Sequence, residues 1–406
     1  MTAISAIVAT CNRQVFLEEA IDSLQRQSRP VDQIVIWDDG STDGTETYGR
    51  ALAKHAPGQI LYRRSQNRGK SCALNAALQE TTGAYIWVCD DDDIALPFAA
   101  ERLAGRLDGT DAGLAAGRHE RFRDDPRTGR RETMGTGYWP DLSEGTVLRH
   151  LLEDVFFFQN ASLVRREALD RVGPYREDLP RSIDYEMFVR LASRYPIEMI
   201  DEVLFHQRKH DGARGPASLR HAADTSEQVW MEFDRKIFAD FRQVLPLSLY
   251  EALFDSADPP LRSRAALLQR GCVYARRSDW EAALCDFSSA AGLRPETPLT
   301  EIERQIAIRA LAGKHGCSTA FRNPIAERLA HLRRRGVAGR SLAAALGRGA
   351  MWRGRVAMAQ KDLTELARIA GFVARMSGFA PTHADPAGAA HDLREKRTLA
   401  PHDYAW

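Results

Sequence analysis

"QIVIWDDGSTDGT" occupies residues 33–45, and its reading decides the fold. Ile34 to Trp37 is a short apolar, partly β-branched run, the composition of a strand buried on both faces. It stops in Asp38, Asp39, Gly40, Ser41, Thr42 and Asp43, residue types that build turns by bonding their own backbone or by tolerating unusual dihedrals. Upstream, "ISAIVAT" (Ile4 to Thr10) repeats the strand signal, and "FLEEAIDSLQRQ" puts Leu17, Ile21 and Leu24 on one helical face. Downstream, "QILYRR" predicts a third strand and "GKSCALNAALQE" a helix with Cys72, Ala73, Ala76 and Ala77 inward. "AYIWVC" predicts a fourth strand that runs into Asp90, Asp91, Asp92 and Asp93. Strands and helices alternating through short connections predict an α/β fold, a doubly wound, mostly parallel sheet covered on both faces. Ligands bind such sheets beyond the carboxyl ends of the strands, so "TCNR", "DDGSTD" and "DDDD" are expected on one rim.

At 406 residues the chain predicts two or three domains. Its 56 Lys+Arg and 55 Asp+Glu leave a formal charge of +1, so the four aspartates are a local concentration and not part of an acidic, disordered chain. Six cysteines lie far apart with no CxxC pair, which argues against a zinc site or a disulfide framework and suits a reducing cytoplasm. The opening "MTAISAIVATCNR" has no basic region ahead of its apolar run, and the run is too short for a signal-peptide core or a bilayer span. A cytoplasmic protein is the expectation.

From about Gly212 the texture becomes Ala-, Leu- and Arg-rich and helical. The expected organisation is an α/β domain over 1–215, an all-α region over 216–380 and a disordered tail over 381–406, where the sequence is polar and interrupted by Pro and Gly. Within 264–297, Leu267, Gly271, Tyr274, Ala283, Phe287, Ala290 and Pro295 match the spacing of a tetratricopeptide repeat. A protein-binding repeat and a helical hairpin packed on its neighbours fit that pattern equally. Between Arg322 and Lys361 roughly ten basic residues face about one acid, which fits either peripheral contact with anionic lipid at the inner membrane face or a solvated helical surface. No helix-turn-helix, zinc-finger or RRM pattern accompanies them, so nucleic acid is not an expected partner.

Four adjacent carboxylates repel one another, and a cation is needed to relieve that field. Oxygen-only ligands select hard ions such as Mg2+ or Mn2+. An EF-hand is excluded, because its sixth position needs Gly and the sixth residue from Asp90 is Ala95. No GxxxxGK[ST] occurs, and "ATCNR" stands where a Rossmann GxGxxG would follow the first strand. His206 and His210 are four apart, but in a region that reads as strand and loop, not as the helical pair of a zinc site. The bland alternative is an acidic turn capping the next helix, for which one Asp would suffice.

"SAIVATCNR", "IVIWDDGSTDGT", "NRGKSCALNAAL" and "YIWVCDDDD", in that order, resemble glycosyltransferase family 2, the nucleotide-sugar-dependent enzymes of the GT-A fold. "FFFQNASLVRREALDRVGPYREDLP" and "SIDYEMFVRLASRYPIEMIDEVLFHQRKHDG" are similar to the family's acceptor-side half, which ends at about Gly212. The resemblance implies a nucleotide-sugar donor, usually UDP-linked, held by Ala9, Thr10, Asn12 and Asp39, with Arg68 and Lys70 near the diphosphate. It places an Asp-x-Asp motif on Asp90 and Asp92, with Asp92 the direct ligand of Mn2+ or Mg2+, Asp91 near the ribose, and His210 near the diphosphate or metal. It also implies inversion by direct displacement, with Asp184 as the base that takes the proton of a glycan or glycolipid hydroxyl. The family's Glu-Asp pair is Ile183 and Asp184 here, so the Asp is kept and the Glu is not.

Structural readings stand beside these roles. Turn chemistry is the other reading of Asp38, Asp39, Ser41 and Asp43, and the preferred one for Asp43; a solvated basic turn is the other reading of Asn67, Arg68 and Lys70. Taken alone, Asp184 reads as complementing the dipole of a helix capped by Ser182; the resemblance turns the reading towards the base. Tyr138 and Trp139 fit either a sugar-stacking platform or the core. For the whole chain, an active transferase of cell-surface polysaccharide or glycoconjugate synthesis competes with a catalytically silent nucleotide-sugar-binding module on a helical scaffold. The complete set of acids favours the transferase.

Overall fold

A computed structural model describes residues 2–125, 127–209, 226–314, 316–377 and 392–404. The chain divides into two compact units: Met1–Asp141 with Val155–Ser226, and Leu142–Asp154 with Glu227–Trp406.

In chain order the first part runs β1 (Ile4–Thr10), α1 (Gln14–Gln25), β2 (Gln33–Asp38), α2 (Thr45–His55), β3 (Ile60–Arg64), α3 (Lys70–Gln79), β4 (Tyr85–Asp90), β5 (Ile94–Ala95), α4 (Ala99–Leu107), β6 (Leu114–Asp124) and β7 (Arg131–Thr136). Then come α5 (Val147–Glu153), which groups with the second unit, and β8 (Ser162–Arg165), α6 (Arg166–Val172), α7 (Ile183–Ala192) and β9 (Ile197–Arg208). The strand order is β3-β2-β1-β4-β8-β6-β9-β5, with β7 paired to β6. The four strands read first pair in parallel, as the alternating pattern predicts. Beyond β4 the sheet turns mixed: β8 is antiparallel to both β4 and β6, and β9 is parallel to β6.

Alternate residues of the parallel strands feed opposite faces. Ile4, Ala6, Val8, Ile34, Ile36 and Trp87 share one cluster with Leu17, Ile21 and Leu24 of α1 and Leu103 and Leu107 of α4. Each such aliphatic side chain taken from water contributes about 1.5–3 kcal/mol. The inward face of α3 differs from expectation: Ser71, Ala73, Leu74 and Ala77 are buried, whereas Cys72 and Ala76 are only partly covered. Leu74 is the fully buried leucine of that helix and takes the central inward position, with Cys72 and Ala76 to either side of it. Ser182 stands at the N-cap of α7 with φ 55, and its side chain makes no capping bond. The cap expected there fails because the left-handed backbone is not the extended conformation that aims a cap oxygen at the first turn.

The second unit continues with α8 (Ser226–Val244), α9 (Leu247–Glu251), β10 (Phe254–Asp255), α10 (Pro259–Ala275), α11 (Trp280–Gly292), α12 (Glu301–Arg309), α13 (Ile325–His331), α14 (Gly336–Ala359), α15 (Leu363–Ser377) and β11 (Arg394–Glu395). Asp258, ahead of Pro259, caps α10; Asp279 caps α11; Thr300 and Glu303 form a capping box on α12. α10 and α11 make a packed hairpin in which a Cβ on Gly271 would lie 2.6 Å from the Phe287 ring. The region is helical as expected. The tail read as disordered departs from that reading over 392–404, where β11 pairs antiparallel with β10 and Lys396 binds Asp403 at 3.0 Å. Backbone pairing and a short-range ion pair hold a segment whose composition carries no periodic signal.

Candidate active site

The sheet register aligns the strand ends, with Thr10 beside Asp38 and Ala9 beside Asp90, so the three turn-forming clusters meet at one rim. Thr10 is buried and Ala9 partly so. Asn12, at φ 56, ties the first loop to the second: its N–H donates to Ser41 Oγ at 2.9 Å, and its Oδ1 accepts from the Thr42 N–H at 2.6 Å.

Asp38 and Asp39 have separate tasks. Asp38 is fully buried and accepts from the Ser41 N–H at 2.7 Å and from the Tyr62 hydroxyl at 2.6 Å, so it is turn chemistry. Asp39 accepts from the backbone N–H groups of Arg68 and Gly69, each at 2.9 Å, and thereby fixes the loop that enters α3. Gly40 adopts φ +83 beneath that loop, where a Cβ would stand 2.9 Å from Asn67 N. The loop delivers Lys70, whose ammonium pairs with Asp90. Arg68 extends outward instead, 3.8 Å from Glu177 with both side chains exposed.

The four aspartates face four different surroundings. Asp90 accepts through Oδ1 from Lys70 and from Gln159 Nε2 at 2.8 Å, and its N–H donates to Asn160 Oδ1. Asp91 and Asp92 share the Arg13 guanidinium at 3.1 and 2.9 Å. Burial pushes the Asp91 carboxyl up to about 6, against the pull of Arg13. Asp93 is buried and accepts from Asn160 Nδ2 at 2.9 Å and the Arg208 N–H at 2.8 Å; burial and then its neighbours Asp92 and Asp90 hold its pKa well above the ordinary range. The repulsion seen in the sequence is thus partly relieved by the chain's own cations, Arg13 and Lys70.

Asp184 sits in the first turn of α7, its Oδ1 accepting from the Tyr185 N–H at 2.9 Å. Burial raises its pKa, Lys70 opposes that and Asp90 adds to it, so the three groups lie within electrostatic reach of one another. Lys70 is held charged in turn: burial opposes its ammonium, and Asp90 and then Asp184 outweigh that cost.

His210 lies outside the described residues, whereas His206 is on β9 with Nε2 3.5 Å from Glu120. Among the described residues no group of three or more His, Cys, Asp or Glu is arranged to hold a metal. Asp90 and Asp92 nonetheless offer oxygen alone, and Mg2+ takes one or two carboxylates while water and phosphates complete its shell. That donor chemistry fits a hard divalent ion. Tyr138 is 64% exposed, whereas Trp139 is half-buried and meets Phe156 edge-on at 5.4 Å, so Tyr138 is the more open of the two to solvent.

The model of Glycosyl transferase family 2 matches residues 5–173, from the first strand through the Gln159–Asn160 turn to α6. Over those residues the chain is similar to family 2 glycosyltransferases. An uncharacterized glycosyltransferase of Rickettsia felis is 25% identical over 237 residues, 57% of this chain and 38% of that protein. The GalNAc(5)-diNAcBac-PP-undecaprenol beta-1,3-glucosyltransferase of Campylobacter jejuni is 37% identical over 105 residues, 25% of this chain and 34% of that one. The chain therefore spans well under half the length of these two relatives. A solved mannosyltransferase of Pyrobaculum calidifontis, in complex with GDP-Man and Mn2+, is 18% identical with a TM-score of 0.46, covering 85% of this chain and 86% of that one.

Within the matched residues, three groups at the rim had no role assigned from the sequence: Arg13, Gln159 and Asn160. Arg13 had a legible signal, a basic residue directly after a strand end on the rim where the aspartates fall. Gln159 and Asn160 had none, because "FFFQNASL" gives no hint that its two amides reach back to the end of β4. Arg208, past the end of the family match, also closes on the cluster, with Nε donating to the Asp92 carbonyl at 2.9 Å.

Proposed function

We propose that this chain is an inverting glycosyltransferase that moves a sugar from a nucleoside diphosphate, with UDP the first candidate, to a hydroxyl of a glycan or glycolipid. The observation that carries the reading is the convergence of Asp184 with Lys70 and Asp90: a carboxyl of raised pKa stands within electrostatic reach of the strand-end cations and acids.

Direct displacement needs positive charge where the diphosphate leaves and a base where the acceptor enters. Lys70 and Arg13 supply fixed positive charge on the donor side, and Asp39 holds the loop that carries Lys70. Asp184 has a carboxylate whose raised pKa makes it a stronger proton acceptor than an exposed Asp, and it takes the acceptor's proton. A divalent metal held by Asp90 and Asp92 would supply further Lewis-acid stabilisation of the leaving diphosphate. The helical unit is assigned to the acceptor or to a partner, its α10–α11 hairpin being the tetratricopeptide-like element.

Replacing Asp184 with Asn tests the reading. UDP affinity measured by calorimetry, with Mn2+ and with chelator, should match the unmodified protein, while turnover falls by about a hundred to ten thousand times. The acid limb of the unmodified protein's pH–rate profile should lie above the ordinary Asp range and vanish in the variant. Unchanged turnover would remove Asp184 from the chemistry. Tight UDP binding without turnover on any donor would favour the silent binding module instead.

A further inference from the structure

α14 is a 24-residue helix whose sequence, "GVAGRSLAAALGRGAMWRGRVAMA", contains no acidic residue. One side is small and apolar and packs inward through Ala338, Leu342, Ala343, Leu346 and Ala350. On the other side Arg340, Arg348, Met351, Trp352, Arg355 and Met358 are all exposed. At 100° per residue these six positions fall within about 120° of arc, so they form one continuous stripe.

The stripe's composition is unusual for a surface that meets only water. Met351, Trp352 and Met358 are 52%, 39% and 62% exposed, and just past the helix end Leu363 is 75% exposed. The charges between them have one sign. No ion pair engages Arg340 or Arg355 among the described residues, and Arg348 has Glu301 within electrostatic reach. The Arg353 guanidinium lies 4.0 Å from the centre of the Trp352 ring, and Lys361 follows the helix as a further exposed cation. Besides Glu301, opposing charge lies at Asp362 and Glu365, at the start of α15, where Glu365 pairs with Arg368 at 3.1 Å.

We propose that this stripe docks the chain on an anionic lipid surface. Arginines give their guanidinium groups to lipid phosphates while their stems lie along apolar surface. Trp is suited to the headgroup level, where one side of the ring is apolar and its N–H is wet, and the two methionines enter the acyl boundary. A nucleic acid would use the arginines and leave Met351 and Met358 without a task; a lipid surface uses both kinds of residue. Docking there would bring the family 2-like region to acceptors carried by a membrane, but the stripe shares no residue with the candidate active site and does not depend on the reading of it.

Co-sedimentation of the full chain with vesicles tests the proposal. The chain should pellet with vesicles of equal parts phosphatidylglycerol and phosphatidylcholine at low salt, stay in solution with phosphatidylcholine alone, and be released by high salt as screening predicts. Arg348→Gln with Arg355→Gln should weaken partitioning roughly fivefold for each arginine. Met351→Ser with Met358→Ser, which leaves the charge intact, should weaken it as well. All four side chains are exposed, so melting points should stay put and confirm that the variants fold. Absence of binding to the anionic vesicles overturns the proposal. So does loss on the arginine change alone, or equal competition by duplex DNA, since either makes the stripe a general polyanion surface.

Discussion

Asp39 shows how a residue in a recognisable motif can do more than the motif says. Its two carboxylate oxygens bind the Arg68 and Gly69 amides, a positioning task that "DDGSTDGT" does not disclose because the partners lie 29 and 30 residues away. Single residues also set a pH response. His119 on β6 is 3% exposed, stacks on Phe205 at 5.6 Å and meets Phe158 edge-on at 4.7 Å. Burial, with Arg121, Lys209 and Arg118 adding to it, holds its pKa down at about 4, against 6.5 ordinarily. The unfolded chain therefore binds a proton that the folded chain refuses. Stability from this group is fully present above pH 6.5 and is lost as pH falls toward 4. Between pH 7 and 4.5 that amounts to about 2–3 kcal/mol. Asp91, raised to about 6, acts with the opposite sign, so the difference between two proteins is the informative measurement. His119→Phe keeps the ring contacts and removes the titration; urea melts at the two pH values should show the variant losing about 2–3 kcal/mol less than the unmodified chain. Parallel losses would mean that His119 is protonated in the folded state.

At the scale of elements, legibility followed the kind of force. The parallel strands and α1 were readable because apolar periodicity reports burial directly, and caps such as Asp258-Pro259 and Thr300 with Glu303 leave local signatures. The antiparallel insertion of β8 was not readable, since its four residues pair with β4 and β6 across long loops. Nor was a fully buried ion pair between helices. Arg264 of α10 and Glu303 of α12 are both 0% exposed and pair through two bonds at 2.6 and 2.8 Å. The guanidinium also donates to the Thr297 and Pro298 carbonyls at 3.0 and 3.2 Å, closing the loop between α11 and α12. Arg264→Met should cost about 3–5 kcal/mol, because it strands a buried carboxylate. Adding Glu303→Leu should recover part of that loss, although the capping box goes with it. If the double variant melts no higher than the single one, the cost lies in the orphaned carbonyls and not in the stranded charge.

For the whole molecule, the order of elements along the chain differs from their grouping in space. Residues 142–154 fall between β7 and β8 in sequence, yet they group with the helical unit, a displacement that no composition shift announces. Glu153 of α5 accepts from Gln269 at 3.0 Å and pairs with Arg309 at 2.9 Å. Burial alone would raise its pKa, but Arg309, then Arg276 and Arg149, outweigh that and take it down to about 2. Leu148, Leu151 and Leu152 are buried beside it. Cutting the chain after residue 226 therefore removes the partners of a seven-residue helix, too short to hold itself in water, and bares three leucines. Fragment 1–226 should self-associate in light scattering. Changing the three leucines to Ser within the fragment should return it to monomer. Every residue assigned to the candidate site lies in Met1–Asp141 or Val155–Ser226, so if the proposed function holds, the monomeric fragment should match the full chain in UDP affinity. A fragment that is monomeric without the leucine changes would show that α5 is not committed to the helical unit. A soluble fragment with no UDP affinity would show that the helices contribute to the donor site.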